Sequence, residues 1–185
     1  DFSRIGALRL QNDAGQFLRN APEGSRSTPA FIELEKILLA SRAVEMSNET
    51  AEDLKYLQGK GTSLGGMRPK CTILDIDGAL SLGKFPSVND ERCVTRGEVL
   101  ALRLATLAGI NSAQARVVTV QNQSVAIIRR FDRTTENNRI PYMSGATLLQ
   151  ANRDEEHSYT ELIDVMRSHC QDFSKDAREL WRRLV

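Results

Sequence analysis

Cysteine is scarce in this sequence. Cys71, Cys93 and Cys170 are odd in number, far apart, and include no C-x-x-C pair. Such usage argues against a disulfide framework and suits a reducing compartment, so the expected location is the cytoplasm. Histidine is scarcer still. His157 and His169 stand isolated, which gives neither a metal-binding nor a catalytic setting. An excess of one charge is also missing, because the formal net charge is only +1. Without a long-range field, nothing in the bulk electrostatics argues for nucleic acid or an acidic membrane as partner. No apolar run approaches the 18 residues of a membrane span, no signal peptide is visible, and neither repeats nor low-complexity segments occur.

What is there is ordinary soluble-domain material: 185 residues, 41% hydrophobic and 26% charged, enough for one full domain or two small ones. "RIGALRLQNDAGQF" alternates around Asn12-Asp13-Ala14-Gly15 and predicts a hairpin. Thr28-Pro29 opens a helix with Phe31, Leu34, Ile37 and Leu38 on its core side. A short helix "AEDLKYL" leads to the glycine-rich "GKGTSLGGMRPK". Residues 97–108 are apolar on most faces and stop at Gly109, which predicts a largely buried helix. "ARVVTV" and "SVAIIRRF" read as β-branched strands joined by "QNQ". From Pro141 onward the patterns are helical. The last helix, with Ser174 as its expected N-cap, carries Ala177, Leu180, Trp181 and Leu184 on one face, with Lys175, Arg178, Arg182 and Arg183 on the solvated one. Its pattern is still running at Val185, and the chain starts at Asp1 rather than Met. The expectation is a piece of a longer α+β protein with two lobes.

"TILDIDGALSLGKF" (72–85) admits two readings. Asp75-Ile76-Asp77-Gly78 is how a phosphatase of the haloacid-dehalogenase type presents its nucleophile. That chemistry needs a parallel strand followed by a long crossover, whereas the next β-type run starts directly after Gly78. The alternative is a two-residue hairpin with Asp77-Gly78 at the corner. Ile76 then pairs with Ala79, and Lys84 lies opposite Cys71, one residue past the glycine-rich loop. Backbone N–H groups of such a loop can approach phosphate oxygens, and a strand lysine can reach the same phosphates. Glu98, near the start of the next helix, is the acidic partner that could hold the lysine. Loop, strand lysine and helix glutamate are the nucleotide-binding parts of a protein-kinase-like small lobe.

"GTSLGGMRPK" (61–70), "LGKFPS" (82–87), "GEVLALRLATLAGI" (97–110) and "IIRRFDR" (127–133) resemble, in that order, the motifs of the HipA family of bacterial serine/threonine kinases. The resemblance implies a kinase-like small lobe, antiparallel sheet plus helix, over residues 59–133. Residues 1–58 would end an N-terminal subdomain with linker helices, and 134–185 would begin a helical large lobe. It implies that Gly65, Gly66, Met67, Arg68, Pro69 and Lys70 wrap the ATP phosphates, and that Ser63 is the autophosphorylated serine. Lys84 would contact the α- and β-phosphates, Glu98 would orient it, and the backbone from Arg129 to Phe131 would meet adenine. Arg130-Phe131-Asp132-Arg133 can equally be a turn stabilised by Arg–Asp pairing, and both roles can hold together.

The family also implies ATP with Mg²⁺, a protein substrate such as an aminoacyl-tRNA synthetase, a small HipB-like DNA-binding antitoxin, and a toxin role in growth arrest and persistence. One part of the pattern is missing. Kinase chemistry needs an Asp at the substrate hydroxyl and further Asp and Asn ligands for magnesium, and in this family they come from a D-x-H-x-x-N loop and from an Asp on a later segment. Asp154, Asp164, Asp172 and Asp176 lie in helical or loop contexts with no nearby Asn at that spacing. The expectation is therefore a chain with no catalytic or metal residue of its own, unable to transfer phosphate. A non-catalytic binding module acting by protein–protein contact is the alternative from a different class.

Overall fold

Two hairpins build the sheet, and each is set by its turn. In the computed structural model, which describes residues 3–18, 30–57, 68–152 and 154–185, strand β1 (Lys70–Leu74) turns into β2 (Leu80–Lys84). Strand β3 (Ala115–Val120) likewise turns into β4 (Gln123–Arg129). All pairings are antiparallel, in the order β1-β2-β4-β3.

The first turn differs from the two-residue corner expected. The Asp75 N–H donates to the Ala79 carbonyl at 2.9 Å and the Gly78 N–H to the Asp75 carbonyl at 2.9 Å, so Ile76, Asp77 and Gly78 form a three-residue loop. A two-residue type I′ turn needs positive φ at both central residues. Here only Gly78 has it, at +78°. The carboxylates of Asp75 and Asp77 accept from the Ile76 and Ala79 N–H groups at 2.8 and 3.0 Å, which favours a tight turn capped by its own side chains. The register therefore moves by one residue: Lys84 faces Lys70, and Cys71 faces Gly83. The second hairpin has the tighter turn, with Gln121 and Asn122 at φ +48° and +59° and Gln123 already paired with Val120.

One sheet face is the core. Cys71, Ile73, Phe85, Val125 and Ile127 pack on Leu34, Ile37 and Leu38 of helix α1 (Leu34–Glu45), which a 3-10 turn (Phe31–Glu33) leads into. Helix α2 (Ala51–Leu57) adds Tyr56 and Leu57. The other face takes helix α3 (Val94–Leu107), where the Thr95 hydroxyl donates to the Ser124 carbonyl at 2.7 Å and the Arg96 Nε to the Ser124 hydroxyl at 2.7 Å.

Helix α3 is not largely buried as expected. Only Thr95 and Val99 are buried, while Leu100, Leu104 and Leu107 are exposed, because among the described residues only one of its sides meets the sheet. Gly109 (φ +75°) ends it, with the Ile110 N–H on the Ala105 carbonyl and the Gly109 N–H on that of Thr106, both at 2.9 Å.

Helices α4 (Gly145–Leu148), α5 (Tyr159–His169) and α6 (Phe173–Leu184) follow. Asp172 rather than Ser174 caps α6, accepting from the Lys175 N–H at 3.1 Å. Arg182 and Arg183 are not simply solvated. Arg182 donates to the Gly109 carbonyl at 3.0 Å and to that of Ala108, and Arg183 donates to that of Asn111. The C-cap carbonyl of α3 and those of the turn after it thus find cationic donors on α6. The expected hairpin near the start is reduced to one bridge, Gln11 with Phe17. Pro29, expected to open a helix, lies outside the described residues.

Candidate functional site

The face of the sheet that α1 does not cover carries the charged site. Side chains alternate along a strand, so with Gly83 turned toward Leu34 of α1, Lys84 points to the other side. There it forms an ion pair with Glu98 on the second turn of α3, both groups half-buried. This is the partnership the order of motifs led us to expect. Lys70 lies directly across the strand pair from Lys84, a neighbour that the one-residue register change supplies. Burial, and after it the charge of Lys84, pushes the Lys70 ammonium below its usual pKa, with Glu98 opposing. Lys70 and Lys84 thus stand on one stretch of the sheet beside Glu98.

Arg68 is held elsewhere, ion-paired to Asp90 in the loop between β2 and α3 at 2.6 Å. Ser63, Gly65, Gly66 and Met67 lie outside the described residues, and Pro69 accepts from the Phe85 N–H at 3.0 Å. Arg129 and Phe131 are not brought to the lysines. Arg129 pairs with Ser81 whereas Lys84 pairs with Ala126, three positions or about 10 Å along the strand. The Arg129 guanidinium holds Asp77 at 2.7 Å, and the N–H groups of Arg129 and Arg130 donate to the carbonyls of Gln114 and Leu80 at 2.8 and 3.1 Å. Phe131 is exposed and tilts against Tyr142, ring centroids 5.5 Å apart.

The R-F-D-R motif is a buried clamp. Asp132 takes a fork from Arg130 (2.8 and 2.7 Å), a bond from Arg133 (2.6 Å) and the Gly6 N–H (2.7 Å). Burial pushes this carboxyl up, but the Arg130 bonds, the Gly6 N–H and the two positive charges outweigh it and hold it below the usual range. Arg130 also donates to the Ser3 carbonyl, and Arg133 to that of Arg4 at 2.7 Å. The turn read from the motif is therefore present, and it fastens residues 3–6 to the sheet. Sequence reasoning missed both this contact and the role of Asp90. The signal for the second was an acidic residue in the loop between the lysine strand and the glutamate helix.

Asp75 and Asp77 have no nucleophile's setting. Each is matched to an arginine of another strand, Asp75 to Arg116 by two bonds of 2.7 Å and Asp77 to Arg129, and the strands around them are antiparallel. The phosphatase reading fails on that topology. His157 bonds Glu161 at 2.9 Å on the surface. Among the described residues no group of His, Cys, Asp and Glu could hold a metal ion, and no helix is long and apolar enough to cross a membrane.

Residues 62–185 match the family described as HipA-like C-terminal domain. No curated protein matches the chain.

Proposed function

This chain belongs to the HipA-like family, and on that premise we propose that it carries the nucleotide-binding lobe of a serine/threonine protein kinase, with ATP as ligand. The observation that carries the reading is the Lys84–Glu98 ion pair, with Lys70 across the strand and the glycine-rich segment just before it. Glu98 holds the Lys84 Nζ in one place, so its remaining N–H donors can meet α- and β-phosphate oxygens without being ordered first. Lys70 adds a second cation at the exit of the glycine-rich segment. Mg²⁺, when bound with the nucleotide, screens charge between the phosphates.

The sequence has no D-x-H-x-x-N loop, so the activity expected of these 185 residues is binding without transfer. In the proposed setting the whole kinase is the toxin of a toxin–antitoxin pair in the cytoplasm. Its partner would be a small DNA-binding antitoxin and its substrate a protein of translation, such as an aminoacyl-tRNA synthetase.

Calorimetric titration with MgATP and with adenosine tests the reading. Lys84→Ala should weaken MgATP at least about tenfold, the loss of one charge-assisted contact, and leave adenosine unchanged. A Lys84→Ala chain that binds MgATP as tightly as the wild type sinks the assignment.

A further inference from the structure

The charge of Arg68 is committed to a carboxylate. Its guanidinium meets Asp90 as a fork, Nη1 on Oδ2 at 2.7 Å and Nη2 on Oδ1 at 2.6 Å. The Asp90 side chain is only 9% exposed and also accepts from the Ser87 N–H at 3.1 Å. The loop that carries Asp90 is itself anchored, with the Val88 N–H on Glu45 of α1 at 3.1 Å. Arg68 in turn holds the Asp90 carboxyl well below the usual carboxylate range. Two parallel N–H to oxygen bonds fix direction as well as distance, which a lysine ammonium cannot do.

We infer that Arg68 is a positioning residue rather than a phosphate ligand: its fork on Asp90 fastens the end of the glycine-rich segment to the loop between Lys84 and Glu98. This rests on the nucleotide reading above. Two ion pairs then join the same stretches of chain. Lys84–Glu98 closes the β2-to-α3 connection from inside the site. Arg68–Asp90 ties that connection to the entry of β1, two residues before Lys70. With the outer tie in place, Lys70 and Lys84 stand side by side as one phosphate-binding pair.

A double-mutant cycle separates positioning from direct contact, with MgATP and adenosine as probes of the 185-residue chain. Arg68→Ala and Asp90→Ala should each weaken MgATP by about threefold to tenfold, and the double variant should be no weaker than either single. Adenosine binding should stay unchanged, Arg68→Lys should behave like Arg68→Ala, and the charge swap Arg68→Asp with Asp90→Arg should recover most of the affinity.

A phosphate ligand gives a different pattern. Arg68→Ala weakens MgATP while Asp90→Ala leaves it equal or tighter, or the two losses add; either result overturns the inference. Should the wild type fail to bind MgATP, or Lys84→Ala bind like the wild type, the nucleotide reading itself falls and the inference with it. Wild-type binding with additive losses removes the positioning role alone.

Discussion

Asp75 shows how single side chains settle what the turn can be. Its carboxylate is 7% exposed and held by both prongs of Arg116. These bonds lower its pKa, against the effect of burial. A carboxyl whose folded pKa lies below its unfolded value contributes stability above that unfolded value, near about 3.9, and the contribution fades as the pH falls through the folded pKa. The Asp75–Arg116 pair is therefore an acid-sensitive tie between the β1–β2 turn and β3. Asp75→Asn should be less stable than the wild type at pH 7, with the gap narrowing below about pH 4. Urea unfolding at pH 7, 5, 4 and 3 measures it, and a gap that stays constant down to pH 3 contradicts the linkage.

At the scale of elements, two glycines should answer the same substitution with opposite signs. Gly78 closes the three-residue turn in the left-handed region, where an added Cβ meets nothing within 4 Å. The cost of Gly78→Ala is thus backbone strain alone, about 1–2 kcal/mol destabilising. Gly97 sits inside α3 with ordinary helical neighbours and open space where a Cβ would go. There alanine removes unfolded-state entropy without strain, so Gly97→Ala should stabilise by about 0.5–1 kcal/mol. Chemical denaturation of the two variants checks the pair, and equal signs would mean that the turn or the helix has been misjudged.

The turn also shows why register was not legible. An Asp-Gly pair signals a hairpin in either a two-residue or a three-residue loop, and both place glycine where φ is positive. Which one forms depends on the carboxylates of Asp75 and Asp77 and on the arginines that reach them from β3 and β4. The carboxylate bonds are local, but the arginines lie 41 and 52 residues away in sequence. The helix carrying Glu98 was legible in existence and approximate position but not in burial, since apolar residues on several sides say nothing of how many sides are covered.

For the molecule as a whole, the R-F-D-R clamp joins the start of the described fold, residues 3–6, to the stretch that follows β4. Asp132 lies among Arg130, Arg133 and the Gly6 N–H, and Gly6 packs so closely on Tyr142 that a Cβ would stand 3.1 Å from that of Tyr142. Removing the carboxylate leaves two buried guanidinium groups without their shared anion, which typically costs about 3–5 kcal/mol. Asp132→Ala should lose stability of that order and speed hydrogen exchange of the Gly6 amide above all others. Normal stability in urea would show that the arginines find other acceptors.

Local pattern determined β1 to β4, the helices and the stop at Gly109, because each rests on side chains close in sequence, and the order of motifs pointed to Lys84 with Glu98 across 14 residues. Tertiary structure decided the rest. It placed Lys70 beside Lys84, gave Arg68 to Asp90, turned Arg182 and Arg183 onto α3, and spent the R-F-D-R charges on residues 3–6. Each of these depends on which strand slides against which and on charges more than a dozen residues apart coming within hydrogen-bond reach, and local periodicity does not encode such distances.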